Sequence, residues 1–521
     1  MTRNLALLAA FLVVLVGPIL LRPKQDTTRA GRTVVVITPH NESIRYEFAR
    51  GFEKHYLAKT GQRVRVDFRT PGGTTEITRY IDGEYLAAFQ NYWRQTLDRP
   101  WSTQVEKDFM NAKAAPDHEA RTAFLASDVS CKIDVFFGGG AYDFQQAAAK
   151  GQLVDCGYIA AHPELFGDGP GRIPPKLSGE PFYDPQGRWL GCVVSAFGIV
   201  SNTDALARLG IAEPPRRWAD LADPRYFGEV ALSNPNQSSS INKSFEMLIQ
   251  QQIAAEVAAH GEGDAAIAAG WLRALRLLQR ICANARYFTD SSTKPSLDIA
   301  AGDCAAGMTI DFYARFQAEA VARSGGDYLR YANAAGGTSV GVDPVALLRG
   351  APNPDVAREF VAFVMSAGGQ KLWNWKVGVP GGPEHYALRR MPILPSLYAP
   401  EFTPQRTDPD VFPYEMAKHF TYREAWTSPL FRAQSFIVRV MCIDTHDELR
   451  AAWRALIDAG FPPAAVAEFE RLDSVDYAMA KGRIKDSLGP NKIVEVRLAK
   501  ELADGFRAQF RRTVELARAG R

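Results

Sequence analysis

The chain has 521 residues, 46% of them hydrophobic and 23% charged, which suits two or three buried cores and excludes a fibre, a broadly disordered chain or a multi-pass membrane protein. Its 61 basic and 58 acidic residues leave a formal charge of +3, so composition gives no electrostatic footprint for nucleic acid. Arg3 precedes an almost wholly apolar run, 5–21, closed by Arg22, Pro23 and Lys24. Such a run serves as an export signal, and about 17 residues suit either a cleaved signal peptide or an uncleaved membrane anchor. Residues 1–30 are therefore set apart as a signal or anchor, and the rest of the chain is expected in the periplasm. Six cysteines in an exported chain permit disulfides; the nearest pairs in sequence are Cys131 with Cys156 and Cys282 with Cys304.

Thr33 to Ile37 is a β-branched run, the mark of a strand buried on both faces of a parallel sheet. Ile44, Phe48, Phe52 and Tyr56 then recur at every fourth position behind Asn41, a helix N-cap residue. Val64 and Val66 begin a second strand, and Pro71-Gly72-Gly73-Thr74 turns into a second helix. This β-α-β-α rhythm places loops at the carboxyl ends of parallel strands, where ligands of open α/β sheets bind. Residues 85–125 interrupt it and are read as a helical insertion. The rhythm resumes at 132–140, where an apolar strand runs into Gly138-Gly139-Gly140. Residues 189–200 form a long apolar run interrupted by Gly191 and Gly198, as where a strand passes from one sheet to another. Strand 229–232 leads into the hydroxyl- and amide-rich turn at 233–240, and strand 307–313 carries Asp311 and Tyr313. Beyond about 400 the composition shifts to helix formers and charges.

Signatures of common catalytic sites are missing: the sequence holds no G-x-S-x-G, H-E-x-x-H, P-loop or C-x-x-C. What it holds is a series of small polar loops placed just after strands. Thr38, His40 and Asn41 follow the first strand, Thr74 the second, and Gly138, Gly139 and Gly140 the third. Asn236, Ser238, Ser239 and Ser240 follow a fourth, Asp311 and Tyr313 a fifth, and Ser195 lies in the long apolar run. Free N–H groups of helix starts and exposed hydroxyls favour a polar or anionic small molecule. These fourteen residues are the candidate ligand site; no catalytic residue, metal ligand or cofactor is expected.

Residues 33–66 resemble the opening of the ferric-iron-type branch of bacterial extracellular solute-binding proteins, with a short strand, a polar loop and a helix ending in Phe-Glu-Lys and Thr-Gly. Residues 132–140, 217–235 and 343–375 resemble later segments of that family. The resemblance implies a two-lobed α/β periplasmic-binding-protein-like fold of type II, here with a C-terminal helical extension. It places lobe 1 at 31–193, lobe 2 at 194–310, a return to lobe 1 at 311–345, C-terminal helices of lobe 2 at 346–400 and the extension at 401–521. The crossovers are expected near Val193–Ser195 and Thr309–Asp311. Family members that bind ferric ion use a His after the first strand, a Glu at the third strand end and two adjacent tyrosines. His40 matches the first, but glycines stand at the second, and Tyr313 is followed by Ala314. A hard ferric ion wants several anionic oxygens, so a small anion suits these loops better. The implied function is a monomeric solute-binding component that delivers its ligand to an inner-membrane ABC permease. An exported hydrolase or transferase on the same fold, and an anchored ligand sensor, are the rival readings.

Overall fold

The computed structural model describes residues 31–115, 118–489 and 491–520. The apolar run 5–21 and the signal or anchor at 1–30 lie outside them; among the described residues no helix is long and apolar enough to cross a membrane.

Strands β1 (Arg32–Ile37), β2 (Val64–Arg69) and β3 (Val135–Phe137) are parallel and in the order β2-β1-β3. Helix Glu42–Thr60 connects β1 to β2 and helix Thr74–Asn91 leads away from β2; the buried side of the former is the expected set Ile44, Phe48, Phe52 and Tyr56, joined by Glu47. Between β2 and β3 the expected insertion is helical, and its Phe89, Trp93, Phe109 and Phe124 join the same core. A short β4 (Leu153–Val154) and a hairpin of β5 (Lys176–Leu177) and β6 (Glu180–Pro181) precede β7 (Leu190–Asn202), whose thirteen residues are all buried.

Strand β7 is the spine of the molecule. Later strands are β8 (Val230–Ser233), β9 (Ala285–Thr289), β10 (Ala306–Ile310), β11 (Leu329–Asn333), β12 (Val340–Leu348) and β13 (Met391–Pro392). From Leu190 to Ala196, β7 pairs with β12; from Phe197 onward it pairs with β10 and β11. One strand thus belongs to two sheets, and the first crossover falls at Ala196/Phe197, just beyond the expected Val193–Ser195. Gly198 fits that position because a Cβ there would stand 2.2 Å from the Ala332 carbonyl of β11.

Two expectations about the second half need correction. Thr309–Asp311 is not a crossover: β10 ends there and the chain turns directly into the helix Asp311–Arg323, still in the second lobe. The return runs through 334–339, between β11, which pairs with β7 at Gly198, and β12, which pairs with it at Ala196. Residues 346–400 belong to the first lobe rather than the second. Val356, Phe360, Val361 and Val364 of helix Pro354–Met365 bury against the β1-β3-β12 sheet, and Met391 of β13 pairs with Val194. The extension crosses the boundary once more, since Ala417 lies in the first core while Phe420, Tyr422 and the later helices complete the second. All six cysteines are buried free thiols, so neither of the pairs nearest in sequence is bridged.

Candidate functional site

Between the two sheets lies a cavity of about 290 Å³. Its first-lobe wall is built by the loops after β1, β2 and β3, its second-lobe wall by those after β8, β9 and β10. The lobes meet at its edge: a Cβ on Gly73 would stand 3.3 Å from the Gln237 carbonyl.

Five helix starts converge on this space. Asn41, Gly73, Ser238, Thr293 and Ile310, the N-caps of Glu42–Thr60, Thr74–Asn91, Ser239–His260, Lys294–Ala301 and Asp311–Arg323, all line it. Asn41 and Ser238 cap their own helices through Ile44 N–H and Ile241 N–H. At Gly73, Thr293 and Ile310 no N-cap side chain closes the helix; Lys294 N–H is taken by Ser291 O and Phe312 N–H by Asp311, and the positive ends of the helix dipoles face one place.

The floor is a buried charged network. The Arg390 side chain is fully buried and lies 2.7 Å from Asp343 Oδ2. It donates to Ser195 Oγ at 2.7 Å, contacts His40 Nε2 at 3.2 Å, and stacks over the Phe312 ring of the other lobe at 4.1 Å. Burial pushes the His40 imidazole below its ordinary value, against the pull of Asp343. Burial alone would raise the Asp343 carboxyl, but Arg390 and then His40 outweigh it and hold it below the usual carboxylate range. The acid is thereby neutralised by its neighbour, and the cavity carries less negative charge than Asp343 and the exposed Asp290 suggest. The His40 ring packs edge-on to Phe137 at 4.6 Å. Among the described residues, no group of three or more His, Cys, Asp and Glu is placed to hold a metal ion.

Beside this cavity is a smaller compartment of about 70 Å³, bounded by Tyr142, Asp143, Glu180, Lys243 and Phe431 among others. Ser239, Ser240 and Asp343 line both spaces. Burial pushes the Asp143 carboxyl up to about 7, with the Ser239 hydroxyl and Lys150 opposing.

Most of the residues singled out from sequence meet here. His40, Asn41, Thr74, Gly139, Ser238, Ser239, Ser240 and Tyr313 line the larger cavity; Gly140 and Ser195 line the smaller. Four do not, each for a visible reason. The Thr38 hydroxyl is buried and accepts from His40 N–H, shaping the turn. Gly138 lies beneath the His40 ring and donates its N–H to Pro344 O. Asn236 donates its amide to Ser435 O in the extension. Asp311 is buried against Arg315 at 3.3 Å, and its carboxylate accepts from Phe312 N–H. Sequence reading missed Arg390, Asp343, Asp143, Lys243 and the 290–293 loop. Asp343-Pro344 stood inside a recognised segment, whereas Arg390 carries no local signal, because its partners are 47 to 350 positions away.

Residues 130–387, from just before β3 to just before β13, match the family model of the bacterial extracellular solute-binding proteins. This part of the chain belongs to that family. The match to these solute-binding proteins ends before the C-terminal extension. A Haemophilus influenzae protein named only as uncharacterized is 30% identical over 251 residues, 47% of this chain and 62% of its own length. The phosphoglycerate transport regulatory protein PgtC of Salmonella typhimurium is 27% identical over 179 residues, 34% of this chain and 39% of its own length. The chain thus spans less than two thirds of each. Among solved structures, the periplasmic binding protein AfuA from Actinobacillus pleuropneumoniae, with fructose-6-phosphate bound, aligns over 80% of this chain and 99% of its own, at 18% identity and a TM-score of 0.49. The apo ferric ion-binding protein A of Pasteurella haemolytica aligns over 78% and 96%, at 14% identity and a TM-score of 0.45.

Proposed function

We propose that this solute-binding protein works in the periplasm, captures a small anionic solute between its two lobes, without chemistry, and hands it to an inner-membrane ABC permease. The observation that carries the reading is the convergence of five helix N-termini on one cavity, three of them without a side-chain cap. Such N–H groups bind anions directly and need no basic side chain to do so. Ser238, Ser239, Ser240, Ser291, Ser292 and Thr293 add hydroxyl donors on the second-lobe wall. Arg390, fixed by Asp343, holds His40 and Ser195 in place beneath the ligand rather than serving as a free cation. A phosphate or carboxylate head matches this donor set, and phosphoglycerate, whose transport PgtC is named for, is of the same chemical class. Closure by hinge motion about β7 and 334–339 would seal the head between the lobes.

Thermal unfolding of the full chain with inorganic phosphate, sulfate, acetate and short phosphorylated solutes tests the reading. Saturation at 100 times the dissociation constant adds about 2.7 kcal/mol to stability. A shift with at least one of these anions supports the proposal, and no shift with any of them rejects it. Loss of uptake of the bound solute in cells lacking this protein would support delivery to a permease; unchanged uptake would reject it.

A further inference from the structure

The smaller compartment has no part in holding an anionic head, yet it opens beside the larger cavity and sets a few polar side chains among mainly apolar walls. Its most unusual member is Asp143, on the first turn of the helix Ala141–Lys150. The Asp143 Oδ2 is buried and has no hydrogen-bond partner. A buried carboxylate oxygen without a donor is costly, and a ligand that supplies the donor recovers that loss. The Ser239 hydroxyl bears on this carboxyl, yet no protein donor meets Oδ2 itself. Lys243 Nζ is engaged by Glu180 Oε1 and Glu246 Oε2, each at 2.9 Å. The Ser339 hydroxyl donates to Glu180, and Ser195 Oγ is occupied by Arg390. Tyr142 and Phe431, with ring centroids 4.7 Å apart, wall the space with one ring from each side of the cleft.

We infer that Asp143 is the specificity-determining residue for the distal end of the solute: it accepts a hydrogen bond from a hydroxyl on a short tail extending from the anionic head. The inference rests on the anion reading and adds to it the nature of the rest of the ligand. Ser239 and Ser240 line both spaces, so a solute whose head sits against the helix starts reaches Asp143 by passing these two hydroxyls. The compartment has room for only a few non-hydrogen atoms. A second carboxylate there would meet Asp143 and Glu180, a like-charge contact that disfavours a doubly acidic solute.

The test measures binding of three probes to the full chain by calorimetry: glycerol 3-phosphate, propyl phosphate and 3-phosphoglycerate. They share a phosphate head and a three-carbon tail and differ in what the tail offers. Glycerol 3-phosphate should bind at least tenfold tighter than either of the others, because a site built to hydrogen-bond a hydroxyl rejects the analogue without one. Asp143→Leu should bring glycerol 3-phosphate down to the level of propyl phosphate while leaving propyl phosphate within about twofold. Equal affinity for glycerol 3-phosphate and propyl phosphate in the unaltered chain overturns the inference without any variant. So does tighter binding of 3-phosphoglycerate, or an Asp143→Leu protein in which all three weaken alike, the pattern of a mere latch to Ser239; in each of these cases the anion reading stands. Failure of all three probes to bind the unaltered chain removes the anion reading and this inference with it.

Discussion

The two lobes are similar in plan but are completed in different ways. The first closes its core largely with segments that follow the strand-helix rhythm, and buried polar groups there find partners in the same lobe: the Tyr85 hydroxyl, for instance, donates to Arg349 O at 2.8 Å. The second depends on the C-terminal extension. Helices Ser239–His260 and Asp264–Ala283 present buried amides and indoles whose partners lie far along the chain. Asn242 donates to Phe431 O, Gln279 to Phe469 O and Trp271 to Val475 O. Helix Lys492–Arg518 lays Leu498, Leu502, Phe506 and Phe510 into the same core. The extension is therefore the missing layer of the second lobe, not an appended module, because without it these donors and this apolar face would be left open.

The strongest way to break this comparison is to end the chain after Ala417. The second lobe should then fail to fold while the first keeps its structure, so that limited proteolysis degrades 203–330 and spares 31–150. Equal protection of both would show that the extension is dispensable. A smaller effect is expected at the seam between the lobes. Lys243→Met strands two buried carboxylates, Glu180 of the first lobe and Glu246 of the second, and should cost about 3–5 kcal/mol in chemical denaturation. A cost under about 1 kcal/mol would mean that the cluster is not dry.

Asp143, on the first-lobe side of the same seam, makes a pH-dependent prediction. Its carboxyl is raised by burial to about 7, above its ordinary value, so the neutral form is the one the ligand-free fold favours. The resulting stabilisation is complete below the unfolded value near 4 and is lost as pH rises through about 7, with a slope of at most about 1.4 kcal/mol per pH unit. Asp143→Asn should flatten the fall in urea midpoint between pH 4.5 and 7.5; an unchanged slope assigns it to other groups. The smallest effect belongs to the extension's contact with the second lobe. Trp271→Phe removes the indole donor to Val475 O and should cost about 1 kcal/mol for that hydrogen bond, together with some packing. Hydrogen exchange should rise in 264–283 and 463–477 and stay constant around β1 to β3, and a rise in both lobes would undo the separation.

What the sequence determined by itself were the features whose cause is local. The periodicity of Ile44, Phe48, Phe52 and Tyr56, the β-branched run of β1 and the polar loops after each strand depend on neighbours a few positions away, and ten of the fourteen chosen site residues line the two spaces. Tertiary structure decided whatever depended on distant partners. Whether helix Pro354–Met365 covers the first lobe or the second cannot be read from its apolar stripe, since either sheet would bury it. That choice was made by β12, which carries the chain back to the first sheet just before it. Asn236 stands at a strand end as a ligand loop requires, yet it is turned to Ser435 O, a partner that only folding brings near, while Thr38 and Asp311 are turned to structural bonds by close neighbours in sequence, His40 and Arg315. Arg390 is the reverse case: in sequence it is one arginine of two, and in the fold it is a buried cation beneath the cavity, because Asp343 and the Phe312 ring converge on it from opposite lobes and together compensate its desolvation.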